Sequence, residues 1–255
     1  MSEIEITMRC KDKVAIVTGG ASGIGKAIAL SLAKEGGKVA VWDVNERLAL
    51  ETMTEIEAHS GEAIFSRVDV SCGTDVKTAT DTVLERWGWI DILVNNAGIC
   101  NVTPIEKITE SEWDGMLAVN LKGTFLCSQT VMSTMQQQKG GRIINMGSIS
   151  GKTGGIPTGA HYAASKAAVI CFTKSLARTM APYNVTVNAI APGVIETEMT
   201  HAITSGNWDS YLSTIPLKRL GTVADLAKVA LFLASDDAAY LTGEIIDVNG
   251  GQLMD

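Results

Sequence analysis

Cysteine, histidine and proline are all scarce in this chain of 255 residues, and none of them is grouped. The five cysteines, Cys10, Cys72, Cys100, Cys127 and Cys171, include no Cys-x-x-Cys pair. That argues against a zinc site and a disulfide framework, and it fits a reducing cytoplasm. His59, His161 and His201 show no ligand spacing and have no paired carboxylates around them, so no catalytic metal is expected. Basic residues number 21 against 28 acidic ones, a formal net charge of −7, and they never cluster. Nucleic acid is therefore excluded as an expected partner. No stretch reaches the ~18 apolar residues of a membrane span, and Met1 to Lys13 holds no apolar core of signal-peptide length. A soluble, unprocessed chain with no membrane partner is expected.

Hydrophobic residues make up 46% and charged residues 19%, close to the globular average, which leaves ample material for a core. Short β-branched runs alternate with segments of helical period, the pattern of βαβ units that build a parallel sheet. Strands are predicted at Lys13–Thr18, Lys38–Trp42, Ala63–Val68, Asp91–Val94, Arg142–Met146, Val185–Ile190 and Glu244–Val248. Helices are predicted at Ile24–Glu35, Glu46–Ala58, Asp75–Trp87, Glu110–Gln137, Tyr162–Ala181 and Val223–Ala234. No repeat or Pro/Gly-rich linker divides the chain. The expected fold is α/β, one domain over residues 1–255 with a doubly wound parallel sheet of about seven strands and helices on both faces. Glu196–Pro216, which carries Gly206, Trp208 and Pro216, fits no element well and reads as a lid or substrate loop, or else as a surface helix pair.

The first strand runs into Thr18-Gly19-Gly20-Ala21-Ser22-Gly23-Ile24-Gly25, where a helix begins. Glycines there let the backbone approach a pyrophosphate, whose charge meets free N–H groups and the positive end of the helix dipole. The spacing is Gly-x-x-x-Gly-x-Gly, not the commoner Gly-x-Gly-x-x-Gly. Asp43 ends the second strand, where a carboxylate can accept hydrogen bonds from both adenosine ribose hydroxyls. A 2′-phosphate there would face a like charge about 4 Å away, costing roughly 4 kcal/mol at an effective dielectric near 20. Nothing basic stands at Ser22 or beside Asp43 in the sequence, so NAD is favoured over NADP. The plainer alternative for Asp43 is a cap on the helix that follows it.

Ser148 follows the fifth strand, and Tyr162 and Lys166 are four residues apart on one helical face. A phenol ordinarily loses its proton near pH 10, and an ammonium nearby favours the phenolate. Bringing that proton to neutral pH takes about 4 kcal/mol, which Lys166 and a positive nicotinamide could supply together. Tyr162 would then exchange the hydroxyl proton while a hydride crosses to the ring. Ser148 would donate a hydrogen bond to the substrate oxygen.

These residues, in this order, resemble the short-chain dehydrogenase/reductase family from Lys13 to about Leu253. Asp69-Val70, Asn95-Asn96-Ala97-Gly98, Asn120, Pro192-Gly193 and Asn249-Gly250-Gly251 are similar to further motifs of that family. The resemblance implies that Gly19, Ser22, Gly23, Ile24 and Gly25 hold the pyrophosphate. It implies that Asp69 and Val70 line the adenine, and that Asn96, Ala97 and Gly98 support that side. It also implies that Asn120 holds a water linking Lys166 to solvent. Pro192, Gly193, Val194 and Thr197 resemble the stretch that holds the nicotinamide carboxamide.

Within the family, Tyr162-Ala163-Ala164-Ser165-Lys166, Val187 to Gly193 and Thr242-Gly243-Glu244 look most like 3-oxoacyl-[acyl-carrier-protein] reductases. Those usually use NADPH and carry a basic residue in the glycine loop, where this chain has Ser22. The expected activity is therefore NAD-dependent interconversion of a secondary alcohol, such as a sugar, polyol or hydroxy acid, and its ketone. The alternative is 3-oxoacyl-[acyl-carrier-protein] reduction, and outside catalysis an NAD(H)-binding sensor or scaffold. Substrate contacts are expected from Cys100, Asn101, Lys152, His161 and Trp208, with Lys152 and His161 able to hold an anionic group. Tyr211 joins Trp208 as a candidate cover, while Lys218 and Arg219 join Lys152 as possible contacts for a carrier protein. Long apolar helix faces lead to the expectation of a homotetramer.

Overall fold

The computed structural model describes residues 8–155, 158–204 and 208–254. Its frame is a sheet of seven parallel strands, β1 (Val14–Thr18), β2 (Lys38–Asp43), β3 (Glu62–Arg67), β4 (Ile92–Asn95), β5 (Gly141–Met146), β6 (Val185–Pro192) and β7 (Ile245–Val248). Their order across the sheet is β3-β2-β1-β4-β5-β6-β7. Each predicted strand is present within two residues of its expected ends.

Successive side chains on a strand point to opposite faces, and here both faces are buried. Ala15 and Val17 of β1, with Val39 and Val41 of β2, meet Ile28 and Leu32 of α1 (Gly23–Lys34) and Leu226 and Leu233 of α10 (Val223–Ala234). Val14, Ile16 and Trp42 on the other face meet α3 (Gly73–Trp87), α5 (Gly123–Gln138) and α7 (Ala160–Met180) through Val83, Val131 and Met180. Truncating one such buried Ile or Leu to Ala costs about 2–5 kcal/mol. Helix starts follow the side-chain chemistry. Asn45 accepts the Leu48 N–H at the head of α2 (Glu46–Ala58), and Thr222 and Asp225 form a reciprocal capping box on α10.

One expectation is corrected. The single helix predicted over Glu110–Gln137 is α4 (Glu110–Leu117), a wider π-helical turn (Ala118–Lys122) and then α5. The wide turn carries Asn120, whose amide is buried and bonded to other segments, and π turns of this kind often sit at functional sites. In the Glu196–Pro216 stretch, α8 (Glu198–Thr204) and α9 (Trp208–Thr214) form a helix pair; Gly206 lies outside the described residues. A short helix, α6 (Ser150–Thr153), follows Ser148 and was not anticipated.

Strand order reverses between β1 and β4. Connections from these two strands leave to opposite sides, and a crevice opens beyond their carboxyl ends, where ligands of doubly wound folds bind.

Candidate active site

Thr18, the last residue of β1, ties the two walls of this crevice together. Its buried hydroxyl donates to the Val94 carbonyl at 3.3 Å and accepts the N–H groups of Asn96 and Ala97, each at 3.0 Å. The Asn96 amide in turn donates to the carbonyls of Thr18 and Gly19 at 3.0 and 3.1 Å. The glycine loop and the Asn95–Gly98 segment are therefore one rigid unit. Gly25 lies beneath that unit and does not line the crevice: a Cβ on it would stand 2.0 Å from the Gly19 carbonyl oxygen. Gly19 itself has φ +62° and sits against Ala97, with room for no side chain.

Of the residues singled out above, Gly19, Ser22, Gly23, Ile24, Asp43, Asp69, Val70, Asn96, Ala97, Gly98, Ser148, Tyr162, Lys166, Pro192, Gly193 and Thr197 line one continuous crevice. At its floor is the first turn of α1, where Ser22 occupies the cap position without using its side chain. The N–H groups of such a turn have no helical partner and suit an anion. A nicotinamide dinucleotide fits this donor set. Asp43 accepts the N–H groups of Ala21 at 3.1 Å and Asn45 at 2.9 Å, which fixes its carboxylate on the rim. Lys26, one turn along α1 from Ser22, lines the same crevice. Its ammonium pairs with Glu55 at 2.5 Å. Val194 does not line the crevice; its carbonyl accepts the Gly221 N–H, and the neighbouring Ile195 lines it instead.

At the other end lie Ser148, Tyr162 and Lys166. The Ser148 oxygen accepts the Ser150 N–H at 3.1 Å, and its hydroxyl is near enough to Tyr162 to favour the phenolate. Lys166 is buried, and its ammonium donates to the Met146 carbonyl at 2.8 Å with Nζ 5.8 Å from the Tyr162 ring centroid. Burial lowers Lys166 to about 8. Burial also pushes the Tyr162 phenol well above its usual range, with the neighbouring Cys100 adding to it and the Ser148 hydrogen bond opposing it. Without the nicotinamide charge that the expected lowering also drew on, taking the ring out of water penalises the phenolate more than the nearby groups favour it. The arrangement suits a proton donor.

Asn120 stands behind this cluster. Its Oδ1 accepts the Ile99 N–H at 2.8 Å, and its Nδ2 donates to the Ile99 carbonyl at 2.9 Å and to Ser165 at 3.0 Å. Protein groups thus engage both amide atoms where the resemblance implies a water. Gly98 fits between Asn120 and Lys166, since a Cβ there would lie 3.2 Å from the one and 3.5 Å from the other.

Most of the expected substrate contacts are placed elsewhere. Lys152 pairs with Asp247 at 2.6 Å, and the fully buried His161 faces Glu112 at 3.2 Å. Carboxylates of the protein already occupy the positions an anionic substrate group would need. Trp208 packs edge-on against His201, ring centroids 4.8 Å apart, and does not line the crevice. Asn101 is exposed and bonded to Glu112. Cys100 is half-buried near Tyr162 and Lys166, and burial pushes its thiol up to about 11. Sequence reading missed Ile99, Met146, Gly147, Ile195, Glu198, Met199 and Thr200, which also line the crevice. Ile99, Met146, Gly147 and Ile195 come from loops and strand ends with no periodic signal, whereas Glu198, Met199 and Thr200 open α8 within the Glu196–Pro216 stretch read as a lid or substrate loop.

The sheet order, the dinucleotide-shaped crevice and the Ser148–Tyr162–Lys166 cluster define an oxidoreductase with a nucleotide cofactor. The chain belongs to the short-chain dehydrogenase/reductase family: a family model described as Enoyl-(Acyl carrier protein) reductase matches residues 19–252. It is 44% identical over 244 residues to the 3-oxoacyl-[acyl-carrier-protein] reductase FabG of Staphylococcus epidermidis, covering 95% of this chain and 100% of the relative. It is 41% identical over 247 residues to the enzyme of the same name from Thermotoga maritima, covering 97% and 100%. Among solved structures, a short-chain type dehydrogenase/reductase from Mycobacterium marinum superposes with a TM-score of 0.93 at 34% identity, covering 98% of each chain. Levodione reductase superposes at 0.92 and 33%, covering 96% and 98%. These likenesses overturn the reading as a dehydrogenase of sugars, polyols or hydroxy acids. That reading leaned on Asp43, which bears on the cofactor and says nothing of the substrate.

Proposed function

We propose that the chain reduces a 3-oxoacyl thioester to the 3-hydroxyacyl thioester, with NADH as the cofactor. The substrate class rests on likeness over nearly the whole chain to 3-oxoacyl-[acyl-carrier-protein] reductases. The bound cofactor supplies the hydride. Ser148 donates a hydrogen bond to the ketone oxygen and sets its distance from Tyr162. Tyr162, held protonated by burial, gives that oxygen its proton. Lys166, near 8, is poised to return a proton towards the phenol at neutral pH.

NADH is supported by Asp43, a fixed carboxylate on the crevice rim at the end of β2, which would repel an added 2′-phosphate there. Lys26 is engaged by Glu55 and leaves that charge unopposed. A homotetramer belongs to the same reading, supported by exposed aromatic surface at Trp113 on α4 and Phe125 on α5, the latter edge-on to the half-buried Phe172 of α7. A carrier-protein dock finds less support, since Lys152 is bound to Asp247 and Arg219 to Asp225.

The test is the initial rate of the purified protein with acetoacetyl thioesters of coenzyme A and of acyl-carrier protein, each with NADH and NADPH. Turnover with NADH preferred is expected. A preference for NADPH would overturn the cofactor half, and absence of thioester turnover with either cofactor the substrate half.

A further inference from the structure

Glu112, in the first turn of α4, is a junction that these roles leave unused. Its Oε1 accepts hydrogen bonds from Asn101 Nδ2 at 2.9 Å and Thr103 Oγ1 at 2.6 Å, and it lies 3.2 Å from His161 Nε2. The three partners come from two places. Asn101 and Thr103 belong to the 99–103 loop, which starts at Ile99 in the crevice wall; His161 directly precedes Tyr162.

The rest of the loop's anchorage is sparse. Asn120 holds its start by the peptide groups of Ile99, and the Gly159 N–H donates to the Asn101 carbonyl at 2.8 Å. Asn101 and Val102 themselves are exposed. Hydrogen bonds to an ionised acceptor are about twice as strong as neutral ones, and three donors converge here on one oxygen. They also hold the Glu112 carboxyl below the usual range, Thr103 first and Asn101 next.

On the other side the imidazole has no freedom. The His161 ring is fully buried and its Nδ1 has no partner among the described residues. A proton on Nε2, donated to Glu112, is the arrangement that leaves no buried N–H unpaired. Gly159 packs on the ring so closely that a Cβ there would lie 2.6 Å from Nδ1. The ring cannot move without moving the start of α7.

We infer that Glu112 is a positioning residue: through Asn101, Thr103 and His161 it fixes the 99–103 loop against the Tyr162 end of α7 and so sets the width of the substrate slot. The identity of the substrate in that slot rests on the function proposed above; the fixing of the loop does not.

Cys100 lies within the loop and reports on it. Alkylation of the full-length protein by iodoacetamide, read at each cysteine by mass spectrometry, contains its own controls. Exposed Cys171 monitors the reagent, and buried Cys10 and Cys127 monitor the fold. In Glu112→Ala, Cys100 is expected to react about tenfold faster, with Cys171 unchanged and Cys10 and Cys127 still protected. KM for acetoacetyl thioester should rise more than kcat falls. Glu112→Gln keeps an acceptor oxygen in place and should restore most of the protection. An unchanged Cys100 rate in Glu112→Ala overturns the inference. If that variant exposes Cys10 and Cys127, Thr103→Val combined with Asn101→Ala decides by the same criterion. A wild-type protein inert towards every 3-oxoacyl thioester would sink the proposed substrate and leave the alkylation result standing.

Discussion

Lys166 and Tyr162 lie one helical turn apart on α7, the ammonium 5.8 Å from the phenol ring centroid, and burial displaces their protons in opposite directions. Lys166 falls from its ordinary 10.5 to about 8 while Tyr162 rises. Between pH 8 and 10.5 the unfolded chain therefore holds a proton on Lys166 that the folded chain has lost. Stability should rise with pH across that window, and the charged lysine is a destabilising element below it.

Lys166→Met is accordingly expected to abolish turnover and to raise the melting temperature at pH 7. The ceiling is on the order of 3 kcal/mol, less about 1 kcal/mol for the lost hydrogen bond to Met146. Thermal melts from pH 7 to 10.5 check it: the advantage of the variant should shrink as pH rises. A variant less stable than wild type at pH 7 would refute the assignment of strain to this ammonium.

Tyr162→Phe should lower kcat by about a hundredfold to ten-thousandfold, the range of one general acid, with NADH affinity changed little. Ser148→Ala should cost about tenfold to a hundredfold, since it removes one hydrogen bond to the reacting oxygen. Steady-state rates and NADH fluorescence titrations separate the two effects.

Asp43→Asn keeps the size of the side chain and an acceptor for the loop N–H groups. It removes the charge that a 2′-phosphate would face. The kcat/KM ratio for NADPH over NADH is expected to rise by about a hundredfold or more, as like charges about 4 Å apart cost roughly 4 kcal/mol. A ratio that stays constant would show that Asp43 serves only as a turn-forming residue.

Gly25→Ala and Gly115→Ala form a contrasting pair. A Cβ at Gly25 would collide with the Gly19 carbonyl at 2.0 Å, so the variant should lose NADH binding and much of its stability. Gly115 is helical and meets nothing within 4 Å, so alanine there should stabilise by about 1 kcal/mol. Differential scanning calorimetry with and without NADH checks both.

Strands were legible because most are short apolar runs, buried on both faces in the middle of the sheet and half-buried at its edges, β3 and β7. Gly19, Asp43, Ser148, Tyr162 and Lys166 were legible because their chemistry depends on spacing within one segment or on the end of one strand. The break in the helix over Glu110–Gln137 was not, because the π turn answers to partners of Asn120 at Ile99 and Ser165, 21 and 45 residues away. The place of Lys26 was hidden for a similar reason: a lysine inside α1 looks like solvated surface until α2 brings Glu55 against it.

The sequence by itself determined the parallel α/β sheet, the glycine turn after β1 and the residues of the Ser148–Tyr162–Lys166 cluster, all of which follow from local pattern. Tertiary structure decided what those residues experience. Packing α7 against the sheet raised the phenol and lowered the ammonium, and it paired His161 with Glu112 and Lys152 with Asp247. Burial and pairing are sums over atoms brought in from distant parts of the chain, and no local window of sequence contains them.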